Sequence, residues 1–278
     1  MSDNVRVAVL FGFGINCDRE TAAVFDMVGG TSERLHVNHL VQGNRSLEEF
    51  DILAVPGGFS FGDHLGSGRL LGNRLRFALR DQLQKFVNSG KPIIGICNGF
   101  QALVKTGLLP GPENASLEPD LIQRASLTLN NTGRYEDRWV TLEFDSESPC
   151  IWTKGIQRIE CPVRHGEGRF VMPTDAELDR LSTNHQLTVR YVDPSIESGS
   201  GLSDDLLPFP LSPNGSMRNI AGICDPTGLV FGLMPHPEAF YTMWLHPEHT
   251  SMNLKDDEWE GSGLQIFRNA VEYVRSQR

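Results

Sequence analysis

Three short stretches carry residues whose types and spacing could do chemistry. The first is Ile93-Ile94-Gly95-Ile96-Cys97-Asn98-Gly99-Phe100-Gln101. A β-branched apolar run leads straight into G-x-C-x-G and then into a helical pattern. That is the layout of a nucleophile elbow with cysteine in place of serine. The turn from strand to helix is tight, and Gly95 and Gly99 bring no Cβ to obstruct it. It presents the thiol at a helix N-terminus, where the partial positive charge of the helix end favours thiolate. The amide of Asn98, directly after the nucleophile, is placed to donate to a tetrahedral oxyanion. The pattern is short, and a buried structural cysteine between two packing glycines would read the same way.

A nucleophilic thiol needs a base, and the second stretch supplies one. Leu229–Met234 reads as a strand and runs into Pro235-His236-Pro237-Glu238. His236 then lies at a strand end, where open α/β sheets carry their sites. Glu238 is spaced to accept from the second ring nitrogen, fixing the tautomer and stabilising imidazolium. The tripeptide His246-Pro247-Glu248 repeats the chemistry in a polar segment with no strand before it. It is expected to be a solvent-exposed turn. The third stretch, Val55-Pro56-Gly57-Gly58-Phe59-Ser60-Phe61-Gly62-Asp63, also follows a buried strand. Its adjacent glycines free the backbone, and Gly58 is the candidate second oxyanion donor. Asp63 is expected to cap the turn after Gly62.

These stretches need a frame that brings strand ends together. Val5–Phe11, Asp51–Val55 and Pro92–Ile96 read as buried strands, with a weaker one near Arg34–Val37. Helical patterns begin at Asp18, span Leu70–Val87 and restart at Phe100. Alternating strand and helix predicts an α/β fold with a mainly parallel central sheet flanked by helices. After Gly111 the pattern turns β-rich: Ser126–Leu129, Trp139–Phe144, Ile159–Val163, Leu187–Val192, Ile220–Cys224 and Leu229–Met234 read as strands with little helix between them. Mixed or antiparallel pairing is expected there. Leu264–Val274 closes as an amphipathic helix. No repeat or linker divides the chain, so residues 1–278 are read as one domain.

Composition narrows the function classes. The 278 residues include 25 Lys+Arg and 35 Asp+Glu, a net charge of −10, which disfavours nucleic acid or an anionic membrane as partner. The five cysteines, at 17, 97, 150, 161 and 224, are odd in number and form no C-x-x-C pair. That argues against a disulfide framework and against a zinc cluster. No apolar run reaches the roughly 18 residues of a membrane span, and the first residues do not read as a signal peptide. A cytoplasmic protein with reduced thiols is expected. Cys17 is expected to pack, as are Cys150, Cys161 and Cys224.

Taken together, PGGFSFGD, GICNGFQ and MPHPE resemble the class I, triad-type glutamine amidotransferases, a flavodoxin-like α/β family. More narrowly the chain resembles the glutaminase subunits of phosphoribosylformylglycinamidine synthases. VAVLFGFGINCDRET, NNTGRYEDRWV, PVRHGEGRF and PNGSMRNIAGICDPTGLVFGLMPHPE carry the narrower match, from about Val5 to Phe240. The resemblance implies that L-glutamine is hydrolysed at Cys97 through a thioester. It implies His236 as general base and acid, Glu238 as its orienter, and Gly58 and Asn98 as oxyanion donors. It also implies Phe59 and Gln101 as glutamine-pocket residues; helix position alone would make Gln101 a solvated side chain. No cofactor or metal is implied in this subunit. ATP and Mg2+ are expected on a synthase partner, with a small accessory subunit as a possible third component.

His165 and Glu167 could form a second catalytic pair, but the resemblance puts their stretch near the contact with the synthase. The chain is longer than the compact form of such a subunit, with the surplus near 111–119, 195–213 and 248–263. Two other classes stay open: a cysteine hydrolase or peptidase on the same elbow, and a non-catalytic interaction module that kept the fold.

Overall fold

Short runs of apolar, β-branched residues make the centre of the molecule. The computed structural model describes residues 4–112, 122–199, 203–252 and 259–278. Strand β1 (Val5–Phe11) is followed by helix α1 (Asp18–Met27), β2 (Gly30–His36), the short α2 (Val37–Val41) and β3 (Ile52–Val55). Helices α3 (Arg69–Ala78) and α4 (Arg80–Asn88) lead to β4 (Ile93–Ile96), and α5 (Asn98–Thr106) begins directly after Cys97. Then come β5 (Ser126–Thr128), β6 (Glu136–Phe144), β7 (Arg158–His165), β8 (Arg169–Val171) and α6 (Asp175–Thr183). The last elements are β9 (Val189–Tyr191), β10 (Ile220–Cys224), β11 (Val230–Leu233) and α7 (Leu264–Ser276).

Nine strands form one sheet in the order β2-β1-β3-β4-β11-β10-β9-β6-β7, and β5 pairs with β8 apart from it. Neighbours from β2 to β11 run parallel. From β11 outward to β7 every pairing is antiparallel. The parallel part is the core the sequence implies, and the β-rich second half extends the same sheet instead of building another layer. Every residue of β3, β4 and β11 is buried. Their unbroken apolar sequences, without polar alternation, are what strands covered on both faces require. Helix α1 packs with α7 through Phe25 and Phe267, whose rings meet edge to face at 5.0 Å, and α3 packs with α5.

Several local expectations needed correction. The stripe Leu71-Leu75-Leu79-Leu83 predicts one helix, but the chain forms α3 and α4 with a break at Leu79, where φ is −120°. The bonds Leu79 N–H to Leu75 O and Leu83 N–H to Leu79 O continue through the break. All four leucines stay buried, so the apolar stripe survives a change of axis and could not report it. Strand β2 begins at Gly30, earlier than expected, because it is an edge strand of mostly half-buried residues, with Leu35 its one buried side chain and little apolar signal. Helix α6 and strand β8 had no strong pattern; α6 buries only Leu178 and Leu181.

Of the three surplus segments, residues 113–119, 200–202 and 253–258 lie outside the described residues. The described parts are tied to the fold. Asn219 accepts from the Leu207 N–H at 2.9 Å and donates to Asp205 O at 2.7 Å, and Glu260 pairs with Arg268 at 2.7 Å.

Candidate active site

Cys97 sits where β4 ends and α5 begins. Its N–H bonds Leu233 O at 2.8 Å, extending the β4–β11 ladder, and its C=O receives the Gln101 N–H at 3.0 Å, opening the helix. Serving both elements in one residue forces the backbone to φ 50°, ψ −106°, a conformation that non-glycine residues hold only when the surroundings impose it. Those surroundings are close. A Cβ on Gly99 would lie 1.7 Å from Val55 O, so only glycine lets the helix start against β3. The Cys97 side chain is 5% exposed, with Sγ 3.6 Å from Arg164 O.

His236 arrives from the end of the neighbouring strand β11. Its N–H donates to Pro162 O of β7 at 2.8 Å, which anchors the segment. Its Nδ1 bonds Glu238 Oε1 at 2.6 Å, with the two residues 3% and 1% exposed. Nε2 is buried and has no hydrogen bond among the described residues. Burial by itself would push the imidazolium down. The Glu238 carboxylate and Cys97 outweigh it, with Cys17 adding to them, and His236 is held well above the ordinary histidine range. Gly57 marks where the parts converge. A Cβ there would lie 2.8 Å from His236 Cε1 and 3.4 Å from both Cys17 Sγ and the Cys97 Cβ.

The loop after β3 completes the site. Gly57 O accepts the N–H groups of Asn16 and Cys17, each at 3.2 Å, and Phe59 N–H donates to Gly14 O at 2.9 Å. These bonds zip the loop after β3 to the loop after β1. Gly58, at φ +145°, lines the cleft next to Cys97. The buried Asn98 side chain supports the loop: Oδ1 accepts the Ser60 N–H at 3.3 Å and Nδ2 donates to Asp63 Oδ1 at 3.2 Å. Asp63 is expected to cap the turn after Gly62; its carboxylate instead ties that loop to the first residue of α5.

A cleft of about 260 Å³ opens above the thiol, lined by Asn16, Cys17, Glu20, Gly58, Phe59, Cys97, Tyr135, Arg164 and His236. Phe59 is therefore at the cleft. Gln101 does not line it and is buried, not solvated; its Nε2 donates to Glu167 O at 2.6 Å and its Oε1 accepts from Asn98 Nδ2 at 3.1 Å. Cys17 does not simply pack. It lines the cleft, with Cys17, His236 and Glu238 each offering an atom within 4.8 Å of the others. Burial, the largest influence on it, pushes its thiol up. His246 is not an exposed turn either. It is buried against Trp139 and Phe240, bonds Glu160 Oε2 at 2.8 Å, and does not line the cleft.

His165 and Glu167 do not pair among the described residues. His165 Nδ1 donates to Asn130 Oδ1 at 3.1 Å, and Glu167 Oε2 accepts the Ser67 N–H at 3.2 Å. Residue typing also missed Tyr135 and Arg164. Tyr135 is the residue before β6 and Arg164 lies in β7, and the pairing of these two strands sets Arg164 opposite Asp137. Nothing local in the sequence says that this hairpin reaches Cys97, although PVRHGEGRF and NNTGRYEDRWV carry the family resemblance.

The family described as the CobB/CobQ-like glutamine amidotransferase domain matches residues 4–274. The chain belongs to this family of glutamine amidotransferases. Subunit PurQ of phosphoribosylformylglycinamidine synthase from Dehalococcoides mccartyi is 42% identical over 271 residues, covering 98% of each chain. The same subunit from Methanococcus maripaludis is 40% identical, covering 96% of this chain and 97% of the relative. A solved structure of PurLQS from Thermotoga maritima superposes with a TM-score of 0.68 at 26% identity, covering 97% of this chain and 98% of its own. Within its family the chain stands with the PurQ subunits.

Proposed function

We propose that Cys97 is where this chain, the glutaminase subunit of phosphoribosylformylglycinamidine synthase in purine biosynthesis, opens the side-chain amide of L-glutamine. The observation that carries the reading is the convergence of Cys97, His236 and Glu238 at adjacent strand ends, with His236 bonded to Glu238 at 2.6 Å. Cys97 Sγ attacks the amide carbon, and the thiol proton resides on His236. The oxyanion that forms draws on the Asn98 and Gly58 amides. His236 passes its proton to the leaving nitrogen, and ammonia departs from a γ-glutamyl thioester. A water molecule, giving its proton to His236, then opens the thioester to glutamate and restores the thiol. Glu238 keeps Nδ1 protonated and stabilises the imidazolium in both halves.

Phe59 forms a wall of the cleft in this reading. Gln101 acts from behind it, holding the elbow helix to the loop at Glu167. The released ammonia goes to a synthase subunit that carries ATP and Mg2+, since neither is needed for hydrolysis at a thiol. The relative solved as PurLQS supports such an assembly, with a third component. No helix among the described residues is long and apolar enough to cross a membrane.

The test is Cys97→Ser in the presence of the synthase partner. Glutamine-dependent amidine formation should be lost while added ammonium still supports it. Retained glutamine turnover in that variant sinks the nucleophile assignment.

A further inference from the structure

The cleft above Cys97 has a floor and a rim of different chemistry. Cys97 and His236, at the floor, are almost wholly buried. The rim carries two opposite charges, Glu20 and Arg164, lining the same cleft. Glu20 lies in the first turn of α1, exposed, with no hydrogen bond or ion pair among the described residues. The other carboxylate of that turn, Asp18, is buried and committed to Arg34. Arg164 touches the nucleophile through its backbone, since its carbonyl accepts from Cys97 Sγ at 3.6 Å. Among the described residues its guanidinium makes only a loose contact of 3.9 Å with Asp137, at 47% and 69% side-chain exposure. Exposure of that order leaves an ion pair worth little and easily exchanged. The Tyr135 hydroxyl lies within the field of both groups: burial raises it, Cys97 adds to the rise, and Arg164 opposes it. Arg164 and the nucleophile line the same small cleft.

Glutamine separates its reacting amide from its zwitterionic end by two methylene groups. With the amide carbon against Cys97, the ammonium and the carboxylate fall toward the rim. Charged hydrogen bonds to each are the strong, orienting kind. We infer that the Glu20 carboxylate receives the α-ammonium of L-glutamine and the Arg164 guanidinium its α-carboxylate. The pair makes the site specific for the free amino acid: primary amides lacking either charge, and glutaminyl side chains within proteins, forgo one or both contacts. This rests on the reading that L-glutamine reacts at Cys97.

The experiment is titration calorimetry in the complex with the synthase partner, on the Cys97→Ser background so that ligand is not consumed. Three ligands are compared: L-glutamine, glutaramate (which lacks the ammonium) and 4-aminobutanamide (which lacks the carboxylate). Adding Glu20→Gln should weaken L-glutamine and 4-aminobutanamide about tenfold or more and leave glutaramate where it was. Adding Arg164→Ala should weaken L-glutamine and glutaramate and spare 4-aminobutanamide, with Arg164→Lys restoring part of the loss. Unchanged L-glutamine binding, or equal weakening of all three ligands, overturns the assignment. Failure of the Cys97→Ser parent to bind L-glutamine overturns both this inference and the proposed substrate. Glutamine turnover persisting in that parent removes only Cys97 as nucleophile, and the same comparison is then read from KM.

Discussion

At His236 two influences oppose each other. Burial disfavours the imidazolium, while the carboxylate of Glu238 at 2.6 Å and the neighbouring Cys97 favour it, and the second set wins. The ring therefore holds a proton to higher pH than an ordinary histidine, which suits the role proposed for it, handing one to departing ammonia. Glu238→Gln removes the larger of the two favourable charges. The His236 pKa should fall, so the alkaline limb of the kcat/KM profile should move to lower pH. The rate should drop roughly 10²–10⁴-fold, because a carboxamide can also hold the wrong tautomer. A pH–rate profile of the variant against the parent checks this; an unmoved alkaline limb would separate Glu238 from His236.

The elements matter through how closely they approach, and two glycines, one in the first turn of α5 and one in the loop after β3, show two kinds of consequence. A Cβ on Gly99 would strike the Val55 carbonyl at 1.7 Å, backbone against backbone with no side chain to yield. Gly99→Ala should destabilise the fold by about 3 kcal/mol or more and abolish activity with it, as a urea melt would show. A Cβ on Gly57 would instead meet the edge of the His236 ring at 2.8 Å. Gly57→Ala should leave most of the stability while displacing the imidazole, lowering kcat by about 10²-fold. Equal loss of stability in the two variants would contradict the distinction. The contrast also says what was legible in the sequence. The elbow could be read because a buried strand, a thiol and flanking glycines lie together in nine residues, all dictated by local geometry. Helix α6 could have been found from Thr174, which caps the Glu177 N–H, a T-x-x-E signal that its few apolar residues obscured. The break at Leu79 and the burial of Gln101 could not, since both depend on what other segments press against them. Cys17 and His246 were misjudged for the same reason: loops have no period, and their burial is decided by partners such as Gly57 and Trp139.

Across the whole molecule, the antiparallel half of the sheet does more than cover the parallel core. Strand β7, at its far edge, returns to the site, giving Arg164 to the cleft and Pro162 O to the His236 N–H. Its last residue, His165, is locked into a buried network. Asn130 Oδ1 accepts from both His165 Nδ1 and the Gly168 N–H, Asn130 Nδ2 donates to His165 O and Arg134 O, and Asn214 Nδ2 donates to Gly168 O. The network joins β7, the turn before β6 and the 212–216 turn. It holds the imidazole neutral: burial, helped by the charge of His236, pushes His165 down to about 3. An unfolded histidine titrates at about 6.5. Between those values the unfolded chain binds a proton that the folded chain refuses, so this contribution to stability is complete above about pH 6.5 and drains away as pH falls toward 3. His236 works in the opposite window. Its folded pKa is raised, so its contribution is complete below about 6.5 and is lost only as pH climbs through the raised value. From pH 6.5 to 5, then, His165 changes the balance and His236 does not. His165→Gln removes the titration while keeping a donor for Asn130. It should lower stability at pH 7 but flatten the acid-side loss by about 1–2 kcal/mol over that interval. Urea midpoints of the parent and the variant at pH 7, 6 and 5 measure the difference, and parallel losses in the two chains would show that the proton goes elsewhere.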